Sequence, residues 1–167
     1  TVNEQIKMKT GDKTITIGSD VKTSAVADLF SIQLDHTSGN INIPELTTKK
    51  INCRASSATT TATGDLTVTT ELEVNSGATF NANTNTIAVK AMDLNSGGTL
   101  DLRNSTMNFS LTTDGDNIDL ASGATLLTGN TTLTGNTSSQ TSAIIPSAGN
   151  FEVVGDVSHL FMLSGSD

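Results

Sequence analysis

The residues of this sequence that could carry nucleophilic or metal chemistry are few and far apart. His36 and His159 are the two imidazoles, and Cys53 is the single thiol. One cysteine can form neither an intrachain disulfide nor a zinc site built from several cysteines. No Ser-His-Asp arrangement can be singled out among the many serines. We therefore predict no catalytic residue and no cofactor, and we expect both histidines and Cys53 to have structural roles.

One acidic segment has part of the spacing of a calcium-binding loop. Asp114, Asp116 and Asp119 occupy its positions 1, 3 and 6. An EF-hand also needs an oxygen donor at position 5 and a glutamate at position 12, where this sequence has Ile118 and Thr125. We expect a solvated turn and no metal site, with a looser calcium site between coils of a repeat structure as the alternative.

Polysaccharide cleavage by acidic residues beside a lysine or arginine is the enzymatic activity to consider for a repetitive β protein. The basic residues of the region 61–167 are Lys90 and Arg103, which lie 13 positions apart. The chain has no Trp and no Tyr, so the sequence offers little aromatic surface on which a sugar ring could stack. We predict that the protein is not an enzyme.

Charge is distributed unevenly along the chain. Residues 1–60 carry a net charge of +1 and residues 61–167 carry −9, which accounts for the total of −8. Such asymmetry suggests two modules. An acidic chain with 3% aromatic residues lacks the charge and the stacking surfaces of a nucleic-acid binder. We therefore predict no nucleic-acid partner.

The basic residues of the first 60 positions are candidates for docking on another protein. They include Lys7, Lys9, Lys49, Lys50 and Arg54, of which the last three form the single basic cluster. One interpretation is that they meet an acidic surface of a partner. The alternative is that they are solvated and protect a strand edge from pairing with other chains.

The sequence contains neither of the two common hydrophobic targeting segments. No run approaches the roughly 18 apolar residues that a membrane-spanning helix needs, so we predict no membrane partner. The N-terminal residues TVNEQIKMKTGDK lack the apolar segment of a secretory signal. We expect synthesis in a cytoplasm and assembly from there, with a signal already removed as the alternative.

Strand signals dominate the first third of the chain. Apolar residues alternate on either side of Thr10-Gly11-Asp12, which predicts a hairpin over residues 6–17. We expect strands around residues 41–43 and 50–53, and we favour a strand over a helix within 24–34. The low-complexity segment Ala55–Thr63 predicts a linker or an exposed edge.

From Gly64 onward the sequence repeats itself. Three segments share an apolar–acidic–apolar start, then Asn or Ala, Ser-Gly, a small residue, Thr and an apolar residue; they are 72–80, 92–100 and 118–126. Seven residues after each segment comes another apolar residue: Ile87, Met107 and Leu133. The glycines lie 20 and 26 residues apart, which predicts a six-residue insertion in or near 111–117.

This period predicts an all-β fold with a short parallel β-solenoid-like repeat region after an N-terminal β-hairpin or small β module. About 20 residues per turn suit two or three short strands joined at Ser-Gly corners, where glycine supplies a positive φ. Apolar residues would stack inward. Asn and Thr would form ladders of like side chains, and Glu73, Asp93 and Asp119 would point outward. The alternative is a β-sandwich.

The ends of the chain complete the predicted organisation. We divide the chain into a docking β module (1–60), the repeat region (61–140) and C-terminal capping strands (141–167). The most apolar stretch contains Leu160, Phe161, Met162 and Leu163. Those four residues either cap the open end of the solenoid or form an oligomer contact.

Residues 64–136 resemble the β-helical repeat regions of virion proteins of tailed, notably marine, bacteriophages. The resemblance rests on GDLTVTTELEVNSGATFNANTNTI and LNSGGTLDLRNSTMNFS, strings similar to those of tail fibres, head fibres and capsid decoration proteins. They also look like passenger repeats of bacterial surface adhesins. The resemblance implies a structural assembly that is often trimeric and displayed outside, and it supplies no catalytic residues.

Chain length favours one of the protein classes that this region resembles. Fibres and adhesin passengers are commonly far longer than 167 residues, so we favour a capsid decoration or cement protein on the outer surface of the virion. Its implied partners are the major capsid protein or other virion proteins and further copies of itself, with a trimer favoured. The alternative is a tail or head fibre, or a module of the bacterial cell surface that binds a host receptor.

Overall fold

The fold is built from short strands that the chain visits in a regular cycle. The computed structural model describes residues 4–8, 13–14, 30–34, 39–54, 57–109, 118–121, 123–128, 131–135, 144–146 and 150–153. Statements about side chains below concern residues 31–34, 39–54, 57–108, 121, 123–127 and 131. Within the described residues there is no helix long and apolar enough to cross a membrane.

The described residues form strands β1 to β17, whose alternating or β-branched residues suit a pleated surface. Their bounds are β1 Glu4–Met8, β2 Lys13–Thr14, β3 Phe30–Leu34, β4 Gly39–Ile43, β5 Leu46–Cys53, β6 Ala58–Ala62, β7 Leu66–Val74, β8 Thr79–Asn81, β9 Thr86–Val89, β10 Met92–Leu94, β11 Thr99–Asp101, β12 Thr106–Phe109, β13 Ile118–Leu120, β14 Thr125–Thr128, β15 Thr132–Gly135, β16 Ile144–Pro146 and β17 Asn150–Val153.

These strands stack in three columns, which we call faces. Face 1 has the order β1, β3, second half of β5, second half of β7, β10, β13, β16. Face 2 has the order β2, β4, β6, β8, β11, β14, β17. Face 3 consists of the first halves of β5 and β7, then β9, β12 and β15. One passage through faces 1, 2 and 3 is a coil.

Every pairing between the described strands is parallel, so the molecule is a β-solenoid. The predicted repeat alignment is the observed register. Leu72 pairs with Met92 and Met92 with Ile118, while Ile87 and Leu133 both flank Met107. The solenoid prediction is confirmed, and the β-sandwich alternative is wrong.

Apolar residues fill the interior because alternate positions of each strand point inward. Phe80 at the centre of β8 is fully buried and lies in register with Leu100 of β11 and Thr60 of β6. The largest buried side chains line the axis through successive coils: Ile32, Leu34, Ile41, Ile43, Leu46, Ile51, Leu66, Leu72, Ile87, Met92 and Leu94. Each coil thus covers the apolar surface of its neighbour.

The Ser-Gly corners between faces 1 and 2 have the predicted backbone. Gly77, Gly97 and Gly123 adopt φ values of 73°, 78° and 78°, a region that glycine enters without steric penalty. The amide of Gly77 donates to the carbonyl of Gly97 at 2.9 Å, and the amide of Gly97 donates to that of Gly123 at 3.0 Å. Hydrogen bonds between coils therefore continue through the corner.

Two local predictions for the N-terminal third are wrong. β1 and β2 do not pair as a hairpin: β1 pairs with β3 and β2 with β4, in different sheets. The expected linker at residues 55–63 contains β6, an inner strand between β4 and β8 whose Ala58, Thr60 and Ala62 are buried. Turn residues also form solenoid corners, and small residues fill a narrow interior, so neither pattern identifies the partner strand.

Two other predictions agree with the strands. Residues 30–34 form β3, while residues 24–29 lie outside the described residues. The step between paired strands is 20 residues from Ile87 to Met107 and 26 from Met92 to Ile118. This change places the insertion between β12 and β13, and its residues 110–117 also lie outside the described residues. The stacking continues across the predicted boundary at residue 60, where β4 pairs with β6 and β5 with β7.

The corner glycines make a stability prediction. We expect Gly97→Ala to lower the free energy of unfolding by about 1–2 kcal/mol, because a Cβ disfavours the left-handed region. The added Cβ would also lie 3.1 Å from Oγ of Ser76. Urea denaturation followed by circular dichroism measures the change. The control is Ser96→Ala at the adjacent exposed position, and equal stability of the two variants would contradict the corner assignment.

Candidate functional site

A network of charged and amide side chains lies on the outside of face 1. The ammonium group of Lys50 donates to the carboxylate of Glu71 and lies 2.7 Å from Oε2 of Glu73. The same Oε2 accepts a hydrogen bond from Nδ2 of Asn52 at 2.6 Å. Nδ2 of Asn75 donates to Oδ1 of Asn52 at 2.9 Å and to Oε1 of Glu73 at 3.1 Å. Strand register creates this network, because Lys50 faces Glu71 and Asn52 faces Glu73.

This network changes the interpretation of Lys50. Burial lowers the pKa of the Lys50 ammonium, but hydrogen bonds and charge interactions with Glu71 and Glu73 outweigh it and raise the pKa. Lys50 therefore binds two carboxylates of its own chain and joins two coils. It is less suited than an exposed cation to recognise an external acidic surface.

The predicted ladders of like side chains are present. On face 1, Nδ2 of Asn95 donates to Oδ1 of Asn75 at 3.3 Å, which extends the contact between Asn75 and Asn52. On face 2, four threonines in register form a half-buried outward column, namely Thr59, Thr79, Thr99 and Thr125. The outer surface of the repeats is thus regular and polar.

The other predicted docking residues have varied positions. Lys49 is half-buried in β5, next to the register shift between Thr48 and Lys50, and Arg54 is exposed directly after β5. Lys7 pairs with Gln33, which in turn pairs with Asn52, so its backbone belongs to face 1. Lys9 lies outside the described residues. The docking role of these residues stays a prediction.

Several other candidates also lie outside the described residues. These are His36, His159, Asp114 and Asp116 of the acidic segment, and the apolar residues Leu160, Phe161, Met162 and Leu163. Asp119 lies in β13, in register with Asp93. In the part of the chain that the structure describes, no three His, Cys, Asp or Glu side chains are grouped so that they could hold a metal ion.

Lys90 and Arg103 are not brought together. Lys90 lies at the corner between β9 and β10, where face 3 leads into face 1. Arg103 lies between β11 and β12, at the corner from face 2 to face 3. The structure therefore does not assemble the two bases of the repeat region beside one another.

The corner from face 2 to face 3 contains a polar cleft that sequence reasoning missed. The cleft has a volume of about 250 Å³ and is lined by Asn81, Asn83, Thr84, Asp101, Arg103 and Asn104. These residues come from two successive loops, since Asn81 and Asp101 pair in register. The signal in the sequence is the recurrence of a polar residue, an apolar residue and two further polar residues at 81–84 and 101–104.

An ion pair stabilises one wall of this cleft. Arg103 donates from Nε to Oδ1 of Asp101 at 2.8 Å and from Nη2 to Oδ2 at 2.6 Å, and its backbone amide donates to Oδ1 at 3.2 Å. Burial raises the pKa of the Asp101 carboxyl, but the hydrogen bonds and charge of Arg103 outweigh it and lower the pKa. The carboxylate is therefore ionised and held in one orientation.

Cys53 lies in the core, as expected for a structural residue. Its side chain is 1% exposed. Burial raises the pKa of the thiol to about 12. Because the thiolate is the reactive form, Cys53 is unsuited to nucleophilic chemistry in the folded protein.

Comparison of the chain with protein-family models, with curated proteins and with solved structures found no match.

The Asp101–Arg103 pair predicts a specific acid response. A carboxyl whose pKa is lowered on folding stabilises the protein above its unfolded pKa, and this contribution is lost as the pH falls through the folded value. When the pH falls below about 4, we expect the unfolding free energy of Arg103→Gln to decrease less than that of the wild type. Denaturation at a series of pH values measures the unfolding free energy of both proteins. Lys90→Gln, which removes a positive charge at another corner, should keep the wild-type pH dependence; an unchanged acid response in Arg103→Gln would contradict the assignment.

The burial of Cys53 predicts that the native thiol is protected. With a thiol-specific disulfide reagent at neutral pH, we expect modification only when the chain opens or unfolds, because the thiol is inaccessible and protonated. One thiol per chain should react in denaturant. Equally rapid modification with and without denaturant would show that the thiol is not buried.

Proposed function

We propose that this protein is a virion structural protein, specifically a decoration or cement protein that docks on a phage head. The observation that supports this most is the change of charge along the solenoid. The cluster Lys49, Lys50 and Arg54 lies in and directly after β5, whereas strands of later coils carry Glu71, Glu73, Asp93 and Asp119. In this proposal the N-terminal coils, which include the basic cluster, face the shell and the acidic coils project outward.

The proposed mechanism is geometric. A solenoid is a rigid scaffold because each coil is hydrogen-bonded to the next along parallel strands. If its N-terminal coils bridge neighbouring copies of the major capsid protein, the added contacts exist only in the assembled shell. Such contacts stabilise the shell by mass action. The acidic coils would limit association between particles by charge repulsion.

The docking surface we propose centres on Arg54 and Lys49, with Lys7 and Lys9 as further candidates. Arg54 is exposed, and Lys7 belongs to face 1 of an earlier coil. Lys50, next to Lys49 in β5, is bound to Glu71 and Glu73. We propose a trimer, with Leu160, Phe161, Met162 and Leu163 as the candidate oligomer contact.

A second candidate function is that of a fibre or surface adhesin module that binds a host receptor. The polar corner cleft supports this candidate, because it presents several hydrogen-bonding groups at an exposed corner of the solenoid. The two functions are compatible, since the cleft involves different residues from the basic cluster.

Reconstitution tests the docking proposal. Purified protein should sediment as an oligomer and should rebind capsids of the parent virus from which accessory proteins have been stripped. We expect Arg54→Glu to weaken this binding about tenfold and to make it less sensitive to salt, because an attractive charge contact is replaced by a repulsive one. Co-sedimentation with capsids measures the affinity.

Lys90→Glu is the matched control, since it makes the same charge change at a corner between later coils. It should bind capsids like the wild type. Equal weakening by both variants would indicate a general charge effect. Failure of the wild-type protein to bind any capsid or tail surface would exclude the virion function.

A further inference from the structure

Both kinds of corner in this solenoid contain residues with positive φ, but the residue types differ. At the corner between faces 1 and 2, the residues with positive φ include the glycines Gly77, Gly97 and Gly123, with Ser57 at the equivalent position of the preceding coil. At the corner between faces 2 and 3, they are Asn83, Thr84 and Asn104, with φ values of 49°, 67° and 59°.

At this second corner the side chain of Thr84 is unfavourable for the backbone, whereas asparagine adopts a positive φ more readily. A β-branched residue such as Thr84 rarely adopts the left-handed region, and strained residues of this kind concentrate at binding sites. Glycine would satisfy the same φ, as it does at the other corner of these coils. The side chain of Thr84 therefore indicates a role other than forming the turn.

The cleft between these loops is organised by contacts that need no ligand. Asn83 donates its backbone amide to Oδ1 of Asn81 at 2.8 Å and its Nδ2 to the carbonyl of Ala62 at 3.2 Å. Beneath the loop, Nδ2 of Asn85 donates to the carbonyls of Ala62, Ala82 and Asn83 at 2.9, 3.0 and 2.9 Å. A preorganised site loses less conformational entropy when it binds a ligand.

The chemistry of the lining selects a neutral ligand rich in hydroxyl groups. Asp101 and Arg103 neutralise each other, so the cleft has no net charge with which to attract a strong anion or cation. Its other groups are three amides and one hydroxyl, which both donate and accept hydrogen bonds. A volume of about 250 Å³ suits a unit the size of one sugar ring.

We propose that this cleft, lined by Thr84, Asn104 and the Asp101–Arg103 pair, is a binding site for one neutral sugar unit of a glycan. The site goes beyond the docking role, since it uses residues at a different corner from Lys49 and Arg54. Because the cleft lining contains no aromatic ring, each contact is weak, with a dissociation constant on the order of 1 mM. Several copies on one particle would increase the apparent affinity through multivalency.

The binding test uses the full chain in a multivalent form. Biotinylated protein assembled on streptavidin is applied to an array of neutral and acidic glycans, and hits are titrated with the free oligosaccharide by saturation-transfer NMR. We expect saturable binding to neutral glycans. Binding to none of them, or to acidic glycans alone, overturns the proposal.

The decisive variant is Thr84→Gly combined with Asn104→Gly. Glycine accommodates both positive φ values, so this variant should fold. We expect it to lose glycan affinity by at least about tenfold, because hydrogen-bonding side chains are removed from the site. The control combines Ser76→Ala and Ser96→Ala at the exposed opposite corner, which should keep wild-type binding.

The outcomes separate this site from the docking surface. Wild-type glycan affinity in the double glycine variant overturns the proposed site. The same variant should still rebind stripped capsids, whereas Arg54→Glu should still bind glycans. Loss of glycan binding in Arg54→Glu but not in the glycine variant would place sugar recognition at the basic cluster and contradict the proposal.

Discussion

The in-register parallel hydrogen bonding between successive coils is the constraint on which the rest of the structure depends. A shift of one residue would turn every inward side chain of a strand to the outside. The chain therefore absorbs length changes outside the paired segments or at bulges. The step from Ile51 to Leu72 is one residue longer than the step from Thr48 to Val68, and the register shift between Thr48 and Lys50 accommodates it. The longer insertion lies between β12 and β13.

The same stacking determines the chemistry of the surface. Equivalent positions of neighbouring coils come to lie side by side, so each outward residue has the next coil's equivalent as a neighbour. Where both are Asn or Thr, the result is a ladder, as for Asn75 and Asn95. Where residues of opposite charge lie in register, an ion pair joins the coils: Lys50 pairs with Glu71 and contacts both Glu71 and Glu73. Some of the charged side chains thus form ion pairs that hold neighbouring coils together.

More of the fold could be predicted from the sequence in the repeat region than in the N-terminal third. Three aligned copies of one motif indicated both the period and the inward residues, because coils of equal length must superpose. Residues 6–17 and 55–63 have no such copies. Their turn residues and small side chains suit a hairpin or a linker as well as a solenoid corner or an inner strand, and only the pairing of β2 with β4 and of β6 with β8 distinguishes these alternatives.

By itself, the sequence determined the strand content, the period, the glycine corners and the burial of apolar residues, because these follow from local patterns of side chains. Only the tertiary structure decided that Lys50 lies against Glu71 and Glu73, and that loops 20 residues apart enclose a cleft beside Asp101 and Arg103. Contacts between coils join residues distant in the chain. Their geometry depends on strand register and backbone conformation, which no short segment specifies.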